Sequence, residues 1–255
     1  MFDRSINVYW APAGGTYIRN TAAISMSNTT WFDPEPALNY LIKNADKSSL
    51  QFQCPAFIDY FKNTYVIKCP VDLDISIKNT NGSRELFTNN YNQFFCDNFL
   101  TKLGQVETKY FKFSLNVSYI MYSDESIIME QMPIIMIHDL TETYKNMCLV
   151  PGIFDISKWI RPLSASYEVF DDTKQVSFKR GDPLYFVRFR TDKKINLIRT
   201  EITEELSNVV DSCVLRKNLI QGSSLDDNYK SAKSLLNLYK DKLFKRKKCP
   251  FGFGK

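Results

Sequence analysis

Three arginines near strand-like segments are the side chains whose type and spacing best suit ligand binding. Arg188 and Arg190 alternate along one such segment, and Arg161 directly precedes another. A guanidinium group binds a carboxylate or a phosphate through two parallel hydrogen bonds. The sequence therefore predicts an anion-binding pocket made of Arg161, Arg188 and Arg190. In the alternative interpretation, these arginines pair with Glu168 or Asp171 at the surface.

The C-terminal tail is the second candidate for binding. Residues 240–255 contain seven Lys and Arg side chains against one Asp, so the rest of the chain is close to neutral although the whole has a net charge of +5. Such a cluster suits a phosphate backbone or an acidic protein patch. The residues predicted to make this contact are Lys245, Arg246, Lys247 and Lys248. Alternatively, these cations complement the dipole of a solvated helix end.

Two acidic positions and one histidine are the candidates for catalysis. Asp72 and Asp74 form a DxD pair, a pattern that binds divalent cations in nucleotide-sugar transferases. Their alternation with apolar residues instead predicts the solvated outer face of a strand. His138, the single histidine of the chain, lies beside Asp139 and suits a general base. In the other interpretation it follows a buried strand and has no catalytic role.

Several classes of site are excluded by what the sequence lacks. One histidine cannot supply the two or more imidazoles of a cupin-type metal centre. The six cysteines are at least 15 positions apart, which excludes a zinc finger, and no phosphate-loop, dinucleotide-binding or nucleophile-elbow motif is present. We therefore expect no metal and no cofactor. The sequence also predicts neither a signal peptide nor a membrane-spanning segment.

Alternating apolar and polar residues are typical of the first 199 residues. The alternation in 71–78 and 110–121 predicts half-buried strands. The turn at 123–125 predicts an antiparallel hairpin between 110–121 and 126–130, whereas the apolar spacing in 84–103 favours a helix. The many short strands predict a mainly β fold with C-terminal helices, an antiparallel β-sandwich or jelly-roll.

After residue 200, apolar residues recur with the spacing of a helix. Apolar residues from Leu225 to Leu243 recur at spacings of four and three, which predicts a helix that packs through one face. That face contacts either its own domain or another subunit. The predicted organisation is a β-sandwich domain with short helical insertions over 1–199, a helix pair over 200–244 and a basic tail over 245–255.

Three runs of sequence resemble uncharacterised proteins of tailed bacteriophages, marine cyanophages in particular. These runs are Trp159-Ile160-Arg161-Pro162, the segment 180–189 and Lys248-Cys249-Pro250-Phe251. The resemblance implies a phage-encoded protein that acts in the virion or in the host cytoplasm. It implies no chemistry and no catalytic residues.

The sequence as a whole favours a non-enzymatic phage structural or binding protein, as a component of the virion. We expect protein partners or self-association, and no membrane partner. Two alternatives stay open. One is an intracellular phage enzyme that uses a carboxylate metal site or His138, and the other is nucleic-acid binding through the basic tail.

Overall fold

The computed structural model describes most of the chain, in nine segments. These are residues 5–13, 31–44, 50–80, 83–88, 100–103, 111–135, 144–170, 173–220 and 222–244. The strands are β1 (Ile6–Ala13), β2 (Glu35–Pro36), β3 (Thr64–Lys68), β4 (Leu73–Thr80), β5 (Ser83–Thr88), β6 (Leu100–Leu103), β7 (Phe111–Tyr122), β8 (Ile128–Met132), β9 (Met147–Leu149), β10 (Gly152–Asp155), β11 (Pro162–Val169), β12 (Gln175–Phe178), β13 (Pro183–Phe189) and β14 (Ile195–Arg199). The helices are α1 (Ala37–Asn44), a 3-10 turn (Leu50–Gln53), α2 (Pro55–Tyr60), α3 (Glu204–Leu219) and α4 (Leu225–Leu243).

Three sheets form the body of the protein. The first has the order β14-β1-β7-β11-β9, with β6 also paired to β7, and the second has the order β10-β8-β13-β3-β2. The third is the small sheet β12-β4-β5. All pairings are antiparallel except that of β1 with β14, which is parallel. The predicted mainly β fold with antiparallel sheets and C-terminal helices is therefore confirmed.

One large apolar core lies between the sheets. Its members come from alternate positions of strands in all three sheets, as the period of two requires. Aromatic side chains fill much of this main core, because each of them buries a large apolar area. The largest fully buried ones are Trp10, Tyr119, Tyr167, Tyr185, Phe113, Phe178 and Phe189.

Two tyrosine hydroxyls connect the first and second sheets through the core. The hydroxyl of Tyr167 donates to the carbonyl oxygen of Leu184 at 3.0 Å, and that of Tyr185 donates to the carbonyl oxygen of Leu163 at 3.3 Å. Burial raises the pKa of both tyrosines well above the usual value. Each bond satisfies a polar group that the core would otherwise leave unpaired, so the pair fixes how the two sheets are aligned.

Two predictions of local structure are wrong. The predicted hairpin between 110–121 and 126–130 does not form, because β7 belongs to the first sheet and β8 to the second. The turn between them connects one sheet of the sandwich to the other, whereas a hairpin turn would connect two neighbouring strands of one sheet. The described parts of 84–103 are strands rather than a helix, since β5 pairs with β4 and β6 pairs with β7.

Helices cover the outer face of the second sheet. α1 and α2 pack on that face through a second apolar cluster, separate from the main core. Its fully buried members include Leu41 of α1, Phe61 after α2, and Val66 and Phe186 of the sheet. The second sheet is therefore buried on both faces near its centre, which explains why β13 is almost entirely apolar.

The C-terminal helices pack on the main core. Thr203 caps α3, since its side chain accepts from the backbone N–H of Leu206, and Ser224 caps α4 in the same way through Asp227. The apolar face of α4 contacts the main core through Tyr229, among others, so this face packs within its own chain. No helix in the described residues is long and apolar enough to cross a membrane.

Candidate functional site

Arg188 and Arg190 lie side by side where β13 ends, on the outer face of the second sheet. Arg188 pairs in register with Glu130 of β8, and both guanidinium groups contact that carboxylate. Arg190 Nη2 forms an ion pair with Glu130 Oε1, and Arg188 Nη1 lies 3.8 Å from Glu130 Oε2. The structure therefore brings two of the three predicted anion-binding residues together and gives both of them Glu130 as an acidic partner.

Arg188 has more hydrogen-bond donors than the surrounding residues accept. Its Nε donates to Thr64 Oγ1 at 3.4 Å, and its guanidinium carbon lies 4.1 Å from the centre of the Tyr60 ring. Its Nη2 is buried and has no hydrogen-bond partner in the described residues. A guanidinium group offers five N–H donors, but the unpartnered one of Arg188 is covered by protein, so a ligand from solvent reaches this pair of arginines through the exposed Arg190.

An open cleft of about 410 Å³ lies beside these arginines. We call it the arginine cleft. Lys62 and Arg190 extend into solvent there, with side chains 50% and 57% exposed. Lys62 Nζ lies 4.0 Å from Asp192 Oδ1, and the Asp192 side chain is fully exposed, so this ion pair contributes little. The lining is Asp59, Tyr60, Lys62, Arg188, Phe189, Arg190, Thr191 and Asp192.

Asn63 connects the two segments of the chain that line the arginine cleft, 59–62 and 188–192. Its backbone has φ 53°, a left-handed conformation that Asn tolerates better than most residues. Its side-chain Nδ2 donates to the carbonyl oxygens of Thr191 at 2.7 Å and Lys193 at 2.9 Å. Its own carbonyl accepts from the backbone N–H of Phe189 at 3.0 Å. The turn after α2 is thus fixed to the loop after β13, and Lys62 is fixed close to Arg190.

Arg161 lies elsewhere, on the other side of the second sheet. Its guanidinium carbon is 4.9 Å from the centre of the Phe154 ring. Its positive charge acts to lower the pKa of Tyr185, against the larger effect of burial. Tyr185 faces the main core, whereas Arg188, three positions further along the same strand, faces outward. The structure does not bring Arg161 together with Arg188 and Arg190, so these three residues do not form one anion-binding pocket.

Asp72 and Asp74 lie at the start of β4 in the small sheet. Asp72 Oδ1 accepts from the backbone N–H of Arg180 at 2.9 Å, and so supports the turn that precedes β13. Asp74 pairs in register with Ser177 of β12. In the described part of the chain, no group of three or more His, Cys, Asp and Glu side chains is placed to hold a metal ion.

Two further predicted sites lie outside the described residues. These are His138 with Asp139, and the tail residues Lys245, Arg246, Lys247 and Lys248. The helix that leads to the tail is described to its end. There, the Phe244 ring packs against the rings of Tyr9 and Tyr122, at centroid distances of 5.7 Å each.

Sequence reasoning missed the other members of the arginine cleft. Tyr60 and Lys62 come from the end of a short helix and the following turn, and no pattern in the sequence links them to β13. Glu130 was not among the predicted partners of the arginines. Of the two partners that were predicted, Glu168 pairs with Lys112 instead, with its Oε1 3.5 Å from Lys112 Nζ, and Asp171 lies outside the described residues. The register of β8 against β13 is the information that would have identified Glu130.

The chain was compared with protein-family models, curated proteins and solved structures, and none of them matches it. Function must therefore be inferred from the residues of the arginine cleft and from the fold that positions them.

Proposed function

We propose that this chain is a non-enzymatic binding or structural protein whose arginine cleft receives an acidic segment of a partner protein. One observation supports this most directly. Arg188 and Arg190 share the carboxylate of Glu130, and the Arg190 side chain is 57% exposed in the cleft. A carboxylate from a partner can bind this exposed guanidinium in the planar geometry that guanidinium groups prefer.

The other walls of the arginine cleft favour a protein segment over a nucleic acid. Tyr60 is 47% exposed, and Tyr and Arg, together with Trp, are the residues most enriched at the centres of protein interfaces. Asp59 and Asp192 also line the cleft. Their carboxylates repel a continuous phosphate backbone, but a segment with separated acidic side chains can avoid them.

A labelled peptide of alternating Glu and Gly residues tests this proposal in fluorescence anisotropy. We expect saturable binding at low ionic strength that weakens at physiological salt. Arg190→Gln removes one exposed guanidinium while Glu130 keeps Arg188 as a partner. Its affinity should fall about tenfold, as the loss of one charge-assisted hydrogen bond predicts.

Arg84→Gln is the matched control, because it removes the same charge from β5 in the small sheet. Its affinity for the peptide should equal that of the wild type. An equal loss of affinity in both variants would show that only net charge matters. That result, or undiminished binding by Arg190→Gln, would refute the arginine cleft as the binding surface.

We further propose that the protein acts as a component of a phage particle, as the resemblance of its sequence runs implies. Mass spectrometry of purified particles, compared with the lysate of infected cells, tests this separately. Stoichiometric presence in particles supports the proposal. Presence in the lysate alone would overturn it and assign the binding activity to the infected cell.

A further inference from the structure

We propose that a groove between α3 and α4 binds a small anionic sugar, that is, a polyhydroxyl compound with a phosphate or carboxylate group. The site is independent of the arginine cleft and of the function proposed above. We call it the hairpin groove, because it lies at the turn that joins the two helices. Its lining is Arg216, Ile220, Gly222, Ser223, Asp227, Lys230 and Ser231.

The two helices place these residues around one cavity. Arg216 and Ile220 are four positions apart at the end of α3, so they share one side of it. Asp227, Lys230 and Ser231 follow the same helical spacing at the start of α4. Arg216 Nη2 contacts the carbonyl oxygen of Asp227 at 3.5 Å, which joins the two walls. The cavity has a volume of about 620 Å³, which lies within the range of small-molecule sites.

Two cations supply the part of the hairpin groove that holds the anionic group. The distance of 3.5 Å from Arg216 Nη2 to the Asp227 carbonyl is longer than a normal N–H···O bond, so this donor can bind a closer acceptor. Lys230 is exposed. In the described part of the chain, neither cation forms an ion pair. A guanidinium and an ammonium lining one cavity suit the oxygens of a phosphate or a carboxylate.

Hydrogen-bond acceptors line the rest of the hairpin groove. Ser223 Oγ donates to Asn228 Oδ1 at 3.1 Å, and Ser231 Oγ donates to the carbonyl oxygen of Asn228 at 2.9 Å. These bonds use the single hydrogen of each hydroxyl and leave its oxygen free to accept. Asp227 Oδ2 accepts from Ser224 Oγ at 2.7 Å, and Asp227 Oδ1 has no partner among the described residues. A ligand that fills this part of the groove must therefore donate hydrogen bonds.

These acceptors favour an anionic sugar over a simple anion. The Asp227 carboxylate repels a bare phosphate ion and partly offsets the two cations. A sugar hydroxyl that donates to Asp227 turns the same carboxylate into a favourable contact. Ile220 is 45% exposed and offers an apolar surface to the C–H groups of a sugar ring. The lining thus matches a ligand that has an anionic group at one end and several hydroxyls beside it.

Amide NMR spectra of the full chain, titrated at neutral pH and constant ionic strength, test this proposal. The probes are glucuronate, glucose phosphorylated at its primary hydroxyl, and inorganic phosphate. We expect one or both sugars to shift the amide signals of Gly222, Ser223 and Ser231 saturably. Inorganic phosphate should bind at least about tenfold more weakly, because it lacks the sugar hydroxyls that reach the acceptors.

Two lysine variants test the cationic part of the hairpin groove. In Lys230→Gln, the dissociation constant of the sugar should rise about tenfold, as the loss of one charge-assisted hydrogen bond predicts. Lys233→Gln is the matched control, since it removes the same charge from an exposed position of α4 that does not line the groove. Its affinity should equal that of the wild type.

Binding of the phosphorylated sugar alone would assign a phosphate-bearing ligand to the hairpin groove, and binding of glucuronate alone a carboxylate-bearing one. Three results would overturn the proposal: no saturable shift of these amides by either sugar, equal affinity for inorganic phosphate, or an equal loss of affinity in Lys230→Gln and Lys233→Gln. Shifts confined to the amides of 59–63 and 188–192 report binding in the arginine cleft, and they count as the first of these results.

Discussion

Asp155 stabilises the place where the chain crosses from one sheet to the other, and its replacement by Asn should be strongly destabilising. The residue is 1% exposed. Its carboxylate accepts from Ser126 Oγ at 2.7 Å, from Ser157 Oγ at 2.6 Å and from the backbone N–H of Ser157 at 2.9 Å, and it pairs with Lys158 Nζ at 2.8 Å. These bonds hold the turn before β8 against the end of β10.

The expected loss in the free energy of unfolding follows from these contacts. A hydrogen bond to a charged group contributes about 1.5–3 kcal/mol and a neutral one about 1 kcal/mol. Asn keeps the shape of the side chain but loses the charge, and its Nδ2 cannot accept. With roughly three contacts each weakened by about 0.5–1 kcal/mol, Asp155→Asn should cost about 2.5 kcal/mol. At about 3 °C per kcal/mol for a chain of this size, Tm should fall by about 7 °C.

The loss in the free energy of unfolding caused by Asp155→Asn should also depend on pH. Burial acts to raise the pKa of Asp155, but the hydrogen bonds from Lys158, Ser157 and Ser126 more than offset it, so the pKa lies below its usual value. A carboxyl group whose pKa is lowered by folding stabilises the protein fully above its unfolded pKa, about 3.9. This contribution is lost as the pH falls through the folded pKa.

Urea unfolding, followed by tryptophan fluorescence at about pH 7 and about pH 3, measures both effects. The difference in the free energy of unfolding between wild type and Asp155→Asn should be larger at pH 7 than at pH 3. Asp124→Asn changes an exposed carboxylate next to the same turn and should leave the unfolding midpoint unchanged. An Asp155→Asn protein as stable as the wild type at pH 7, or a deficit of equal size at both pH values, would refute this reasoning.

Three further predictions concern other parts of the fold. Tyr167→Phe leaves the buried carbonyl of Leu184 without its donor and should lower the free energy of unfolding by about 1–2 kcal/mol in urea titrations; an unchanged midpoint would contradict the role assigned to this bond. Asp72→Asn combined with Asp74→Asn should leave calorimetric titrations with Mg²⁺ and Mn²⁺ unchanged, whereas loss of a wild-type binding signal would restore the metal-dependent enzyme. Deletion of residues 245–255 should abolish any salt-dependent binding of nucleic acid and leave Tm unchanged, because α4 and Phe244 remain; binding that survives the deletion would exclude the tail.

The period of side chains identified strands, but it did not identify their partners. The alternation in 110–121 corresponds to β7, and that in 71–78 to β4. Alternation shows which face of a strand is buried and contains no information about which strand lies beside it. The turn at 123–125 suits a hairpin as well as a crossing between sheets. The crossing is stabilised by Asp155, which binds Ser126 and Ile127 after the turn from 29 and 28 positions away.

The same limit applies to the candidate site. The spacing of Arg188 and Arg190 places both on one face of a strand, and the structure agrees. Arg161 could not be assigned to a face, because it lies in a connection before β11 rather than within a strand. Glu130 and Tyr60 approach the arginines only through the register of the second sheet and the packing of α2 on it. Those contacts link residues that are far apart in sequence, which no local pattern reports.

Three buried side-chain donors in the described part of this fold have no hydrogen-bond partner. The buried carboxylate of Asp155 and the hydroxyls of Tyr167 and Tyr185 are engaged in bonds that hold strands and turns together. The buried side-chain polar atoms without a partner among the described residues are Trp31 Nε1, Arg188 Nη2 and Arg216 Nε. All three are nitrogen donors, and two belong to guanidinium groups. Of these three residues, Arg188 lines the arginine cleft beside the exposed Arg190, and guanidinium groups at a surface bind ligands rich in acceptors. Carboxylates are such ligands, which is why we assign an acidic partner to the arginine cleft.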